Sequence, residues 1–224
     1  SLVSPDDTDY FAGMSAGFAA KLWIGFVVHD LLESMLLFTR PVERVRGAAD
    51  AAFERHVDEL LALMERRAAG SLVAALGELA TGMWGTRALV RRAAAEFAAL
   101  AELGREVPTV AVVGEIYVRL DPFANDFLVR KLEARGLRVR FAPFTEWLEY
   151  TTFLGEERVA GGRPTSGDHP LGTPLKGLIQ RVSAGVLRAT AAQELGWGPP
   201  TSVEQTLAAA RPFVDPRLEG EAAL

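Results

Sequence analysis

Apolar residues recur every three or four positions through the first hundred residues, and then the rhythm changes. From Phe11 to Phe38 the chain is almost continuously apolar, which predicts a long buried helix. Gly13, Gly17 and Gly25 lie four and eight apart, on one face, where small residues allow close helix packing. Arg40-Pro41 breaks this run, because proline restricts the residue before it. Val42, Val45, Ala49, Phe53, Val57, Leu60, Leu61 and Met64 then predict an amphipathic helix over 42–67. Gly70-Ser71 interrupts and recaps the chain, and helix resumes at Leu72, Leu76, Leu79 and Met83. Gly82 and Gly85 weaken it around Trp84, and Leu89, Val90, Ala93, Phe97 and Leu100 continue it.

The period changes at residues 108–150, PTVAVVGEIYVRLDPFANDFLVRKLEARGLRVRFAPFTEWLEY. Val110 to Val113 is a short apolar run, expected to form a strand buried on both faces. Gly114-Glu115 opens a loop, and Asp121-Pro122 suits the cap and first turn of a helix. Phe123, Phe127, Leu128 and Leu132 give that helix an apolar stripe, and Gly136 sits where a terminating glycine belongs. Leu137 to Phe141 reads as a second strand, and Thr145 as the cap of a short helix through Trp147 and Tyr150.

Residues 155–174, GEERVAGGRPTSGDHPLGTP, read as a long Gly/Pro-rich loop. Leu175, Leu178, Ile179, Val182 and Val186 return to helical spacing, Trp197-Gly198-Pro199-Pro200 ends it, and Ser202 starts a last short helix. The expected class is α/β. A helical region over 1–104 packs on a Rossmann-like parallel βαβ unit over 105–154, followed by the loop over 155–174 and a helical region over 175–224.

Composition narrows the function. The 224 residues are 49% hydrophobic, enough for a sizeable core. The net charge of −5 argues against a nucleic-acid partner, which calls for a clustered basic face. There is no cysteine, so disulfides, thiolate metal sites and cysteine nucleophiles are excluded within these residues. No signal peptide is visible, and Lys21, His29, Asp30 and Glu33 interrupt the long apolar stretch, so a soluble, cytoplasmic protein without a membrane span is expected.

Open α/β sheets place ligands at the carboxyl ends of their strands. That puts Gly114, Glu115, Tyr117, Arg119 and Asn125 forward as ligand- or cluster-facing candidates. Glu115 or Tyr117 would face the ligand, and Arg119 would pair with an anion. The bland alternative is that Gly114 is a tight turn, Asp121 a cap and Asn125 a first-turn residue. The dinucleotide fingerprint G-x-G-x-x-G and the phosphate loop G-x-x-x-x-G-K-[ST] are both absent. His29 and Glu33 lie one helical turn apart, but two ligands are too few for a metal, and a packed or solvated pair is expected. His56 reads as a satisfied boundary residue, His169 as a loop residue, and the four tryptophans as core.

A parallel pair of strands leaves unpaired backbone at both edges, and typical sheets have five or six strands. With two convincing strands and an apolar end with no terminating signal, the chain is expected to be part of a larger protein. VGEIYVRLDPFANDFLVRKLEARGLRV followed by APFTEWLEY resembles a segment of the large acyl-CoA dehydratase activase-related proteins, relatives of 2-hydroxyacyl-CoA dehydratase components and double-cubane cluster proteins. SLVSPDDTDY and DPRLEGEAAL resemble flanking segments of that family. The resemblance implies a dehydratase-like component of an ATP-dependent, low-potential electron-transfer system acting on acyl-CoA-type substrates. It implies an iron–sulfur cluster in the full-length protein, ATP on an activase domain or subunit as partner, and an oligomer as one option. The family's cysteine motifs are missing here, so the cluster's thiolates would lie outside these residues and activity of the chain alone is not expected. The other reading is a non-catalytic α/β domain that docks an activase or binds an acyl-CoA.

Overall fold

The computed structural model describes residues 15–66, 71–102, 104–165, 167–198 and 201–213. Helix α1 (Ala16–Thr39) is the central element, and Ser15 caps it by accepting a hydrogen bond from Phe18 N. Its apolar residues point almost all round, so it is buried on most sides, as expected of a helix hydrophobic around its whole circumference. Helices α2 (Ala48–Glu65), α4 (Thr86–Leu100) and α8 (Gly172–Leu195) pack around it. Ile24, Leu32, Met35, Leu89, Phe97 and Leu187 form the closed core of this bundle. Gly25 lets α2 approach: a Cβ there would lie 3.0 Å from Met64 Sδ. Gly17 is buried, and Gly13 lies outside the described residues.

Several helix boundaries differ from those the sequence predicts. Val42 and Val45 are not in α2: a short 3-10 turn spans Arg40–Val42, and α2 starts only after Gly47. Glu43 takes the cap's place, accepting from Gly47 N and Ala49 N. Ser71 caps α3 (Leu72–Thr81), and Gly82 and Gly85 break the chain before α4, with Met83 and Trp84 also at positive φ.

Strands β1 (Thr109–Val112) and β2 (Arg138–Phe141) pair in parallel, with Val110 opposite Val139 and Val112 opposite Phe141. The expectation of burial on both faces is corrected. Val110 and Val112 share a face with buried Val139, and β2 packs against α1, while Thr109 and Ala111 are exposed. Val113, beyond the strand, is 74% exposed. No layer covers the outer face of β1 among the described residues.

The connection between the strands is also rearranged. Helix α5 (Ile116–Leu120) forms where a loop was expected, because Glu115 caps it. Residues 121–127 turn, with Asp126 and Phe127 at positive φ, and α6 (Leu128–Glu133) is shorter than the expected helix. Phe123, expected in an apolar stripe, is 85% exposed, and Phe127 is exposed as well. Gly136, at φ +79°, ends this segment as anticipated. Arg40 anchors the unit to the bundle: it meets Glu133 at 2.8 Å and Asp50 at 2.9 Å, and Arg130 meets Asp50 at 3.0 Å. Arg138 adds a second anchor, donating to Phe38 O and lying 4.2 Å over the Phe38 ring.

Helix α7 (Phe144–Ala160) is long, not short, and Thr145 lies inside its first turn. The predicted loop over 155–174 therefore shrinks to 161–171, because α7 and α8 take up its ends. Arg158 and Asp168 clasp its base at 2.7 Å. Helix α9 (Val203–Ala210) starts with a complete capping box from Ser202 and Gln205.

Candidate functional site

The carboxyl ends of β1 and β2 lead directly into α5 and α7, and both helices bring charged side chains towards α1. Arg119 comes from α5, Glu146 from α7, and Asp30 and Glu33 from α1. Four ionisable groups thus converge where an open α/β sheet places its crevice.

Asp30 has a structural task. The residue before α7 is Pro143, which offers no capping side chain. Asp30 replaces it from another helix: its Oδ2 accepts from Thr145 N at 2.8 Å and from Thr145 Oγ1 at 2.6 Å. Burial pushes the Asp30 carboxyl up, and the bonds from Thr145 oppose the shift. The sequence expectation that Thr145 caps a helix is thereby reversed, since Thr145 donates to a cap.

Glu33 makes no hydrogen bond or ion pair in the described structure. Burial, and then the like charge of Asp30, push its carboxyl up to about 7, against the pull of Arg119 and Arg40. Burial also pushes Glu146 up, opposed by Arg188, Arg119 and Arg140. Arg119 is only 9% exposed, and its Nε is buried with no hydrogen-bond partner. A buried Nε that is not matched by an acceptor is unusual, because that donor loses water without replacement. Carboxyl groups that burial pushes upward beside it, Glu33 to about 7, make this cluster the leading site on physical grounds.

The five sequence candidates separate. Arg119 lies in the cluster. Asn125 supports it from behind: Nδ2 donates to Arg119 O at 2.9 Å, and Oδ1 accepts from Leu128 N at 3.2 Å. Glu115 is exposed and accepts from Tyr117 N and Val118 N, which hold its carboxyl below the usual carboxylate range. Tyr117 is exposed, and Gly114 turns the chain at φ +135°, a region that favours glycine. The structure therefore brings Arg119 and Asn125 together and leaves Gly114, Glu115 and Tyr117 on the outer side of the turn.

Asp30, Glu33 and Glu146 were missed as a group. The available signal was two acids three residues apart inside the most apolar helix, which places both on one face. His29, paired with Glu33 in sequence, instead packs edge-on against Phe53, with ring centroids 6.1 Å apart. His56 is buried with Nε2 2.9 Å from Glu96 Oε2. Among the described residues no group of three or more His, Cys, Asp or Glu is arranged to hold a metal ion.

The stretch Ala16–Val42 is long and apolar enough to cross a membrane, with a mean hydropathy of 1.5, despite the charges noted above. Within the fold 61% of its most apolar window is buried against protein, as in the core helix of a bundle.

No protein-family model, no curated protein and no solved structure matches the chain.

Proposed function

We propose that this chain is a ligand-binding portion of a dehydratase-like component of the acyl-CoA dehydratase activase-related proteins. Its Rossmann-like unit receives an anionic, acyl-CoA-type ligand at the carboxyl ends of β1 and β2. The observation that carries this reading is Arg119, a buried guanidinium with a donor left unused. An anion would supply the missing acceptor. Glu33 and Glu146 do not cancel the charge as ordinary carboxylates would, because burial keeps both inclined to hold a proton. Glu33, titrating near neutrality, is also the group best suited to exchange a proton with a bound ligand.

Binding, not redox chemistry, is the role of these residues. A cubane cluster needs thiolates, and the chain has no cysteine. The residues present do not fit such a group, and any cluster and ATP belong to other parts of the assembly. The exposed outer face of β1, with exposed Val113 directly after the strand, is where further strands of the larger protein or an activase subunit would sit.

Calorimetric titration of the chain with a 2-hydroxyacyl-CoA tests the reading. Binding should weaken by about tenfold or more in Arg119→Met, the loss of one charged hydrogen bond. Stability should hold, since methionine fills similar space without a buried charge. No binding by the unaltered chain, or equal binding by the variant, overturns it.

A further inference from the structure

The charges gathered around Arg119 do not balance, and the imbalance has a direction. Asp30 and Glu33 from α1 and Glu146 from α7 supply carboxyl groups. Asp30 is committed as the cap of α7, accepting twice from Thr145. Glu33 and Glu146 are half-buried, and among the described residues neither side chain makes a hydrogen bond or an ion pair. Both are therefore free to hold a proton.

The cations differ in how far they are already occupied. Arg40 is held by Glu133 and Asp50, and Arg188 by Glu149. Arg140 is exposed, where water and salt screen its charge. Arg119 is nearly buried, and its Nε is sealed without an acceptor. Its two terminal nitrogens make no hydrogen bond or ion pair either, but unlike Nε they keep contact with solvent. The open end of the Arg119 fork is thus a positive charge that no carboxylate has claimed.

That charge acts on both unpartnered acids. Burial and then Asp30 push the Glu33 carboxyl up to about 7, while Arg119, and after it Arg40, pull it back. Burial pushes Glu146 up, while Arg188, Arg119 and Arg140 pull it back. An anion seated on Arg119 would neutralise the pull from α5. Burial and Asp30 would then act on Glu33 with only the distracted charge of Arg40 against them.

We propose that this cluster takes up a proton together with its anion, and that Glu33 is the group that receives it. The inference rests on the anion-binding reading above and adds to it a dependence on pH. The proton comes from water, no bond of the ligand is made or broken, and the charge of the cluster stays constant as anion and proton enter together. Glu146 responds in the same direction but less, because Arg188 and Arg140 stay beside it. Below pH 7 Glu33 already carries its proton, and affinity does not depend on this group. Above pH 7 binding has to draw a proton in, so affinity falls as pH rises, by up to about tenfold per pH unit. A plain contact between arginine and an anion has no such dependence, since the guanidinium stays charged throughout.

The test follows Glu33 itself, by carbon NMR of the full chain labelled at its glutamate carboxyl carbons, with lactoyl-CoA as the probe. The signal missing from Glu33→Gln identifies the residue. It should titrate near 7 in the free chain and at least about one pH unit higher in the saturated complex. Reading a single carboxyl keeps the titration of the CoA phosphates out of the result. Arg119→Met should raise the midpoint with no ligand present, because it removes the same pull. By calorimetry, affinity should fall between pH 7 and 9 in the unaltered chain and less steeply in Glu33→Gln. Binding of lactoyl-CoA with an unmoved Glu33 midpoint overturns the proposal and leaves the acyl-CoA reading standing. An unmoved midpoint in Arg119→Met overturns it whatever the ligand does. No binding at any pH overturns both.

Discussion

The helical bundle and the βαβ unit are built to different standards of closure. In the bundle, α1 is covered by α2, α4 and α8, and residues such as Ile24, Leu32 and Phe97 are fully buried. In the βαβ unit, one face of β1 is open, and Phe123 and Phe127 are exposed. The bundle is held by apolar burial, which is non-directional and scales with area. The unit is held to it largely by directional contacts: Arg40 to Glu133 and Asp50, and Arg138 to Phe38. The charged cluster lies where the two regions meet. The closed region thus provides rigidity, and the open one provides edges, turns and groups not yet satisfied.

The largest effect expected is in the bundle. Leu32→Ala should destabilise the protein by about 4 kcal/mol, the cost of a cavity in a fully buried site. Phe123→Ser, in the open unit, should change stability by less than about 0.5 kcal/mol, as at ordinary surface positions. Denaturant titration of both variants checks the contrast. Comparable losses would show that the unit carries a core of its own.

Next comes the joint between the regions. Arg40→Ala strands the Glu133 carboxylate, which is largely buried, and removes a partner of Asp50. Breaking a buried ion pair from one side costs about 3 kcal/mol. Hydrogen exchange should show protection falling first in β1, β2 and α6 and not in α4. Uniform loss across the chain would mean that the two regions unfold as one.

The smallest effect lies in the cluster and depends on pH. The Glu33 carboxyl titrates near 4.5 when exposed and is pushed up to about 7 in the fold. The folded state therefore binds more protons between those values. Its contribution is complete below pH 4.5 and is lost as pH rises through 7. Asp30, Glu146 and Glu149 are pushed up too and add slopes of the same sign. Glu33→Gln should reduce the fall in stability between pH 5 and 8. At pH 8 it should stabilise the protein by roughly 1 kcal/mol, allowing for partial screening by solvent. Melting temperatures across that range decide it, and parallel profiles for the two proteins would remove Glu33 from the cluster.

How much was legible follows from the range of each interaction. The helices of the bundle could be read because apolar spacing is local and repeated, as in Leu89, Val90, Ala93 and Phe97. Strands β1 and β2 were found for the same reason. Their burial was not, because a short apolar run looks alike whether one face is covered or both. The boundaries at α5 and α7 failed because caps were assigned to the nearest plausible residue. Glu115 caps α5 locally but had been weighed only as a ligand group, and α7 is stapled by Asp30, 115 residues away. Of the candidate site, Arg119 stands out from its position after β1, Glu33 only as a partner of His29, and Glu146 not at all.

The sequence by itself determined the class of the protein: a helix-rich α/β chain with a parallel strand pair, no thiolate chemistry of its own and no dinucleotide or phosphate-loop fingerprint. Those properties depend on composition and on spacing within one element. Tertiary structure alone decided which charged groups became unusual. Glu146 looks like an ordinary surface residue along the chain and Gln180 like any helical glutamine, while nothing in the spacing of Glu33 and Arg119 shows that they meet. Only packing α1, α5, α7 and α8 together removes their water, and the loss of water is what moves a carboxyl towards neutrality and leaves a donor or acceptor without a partner.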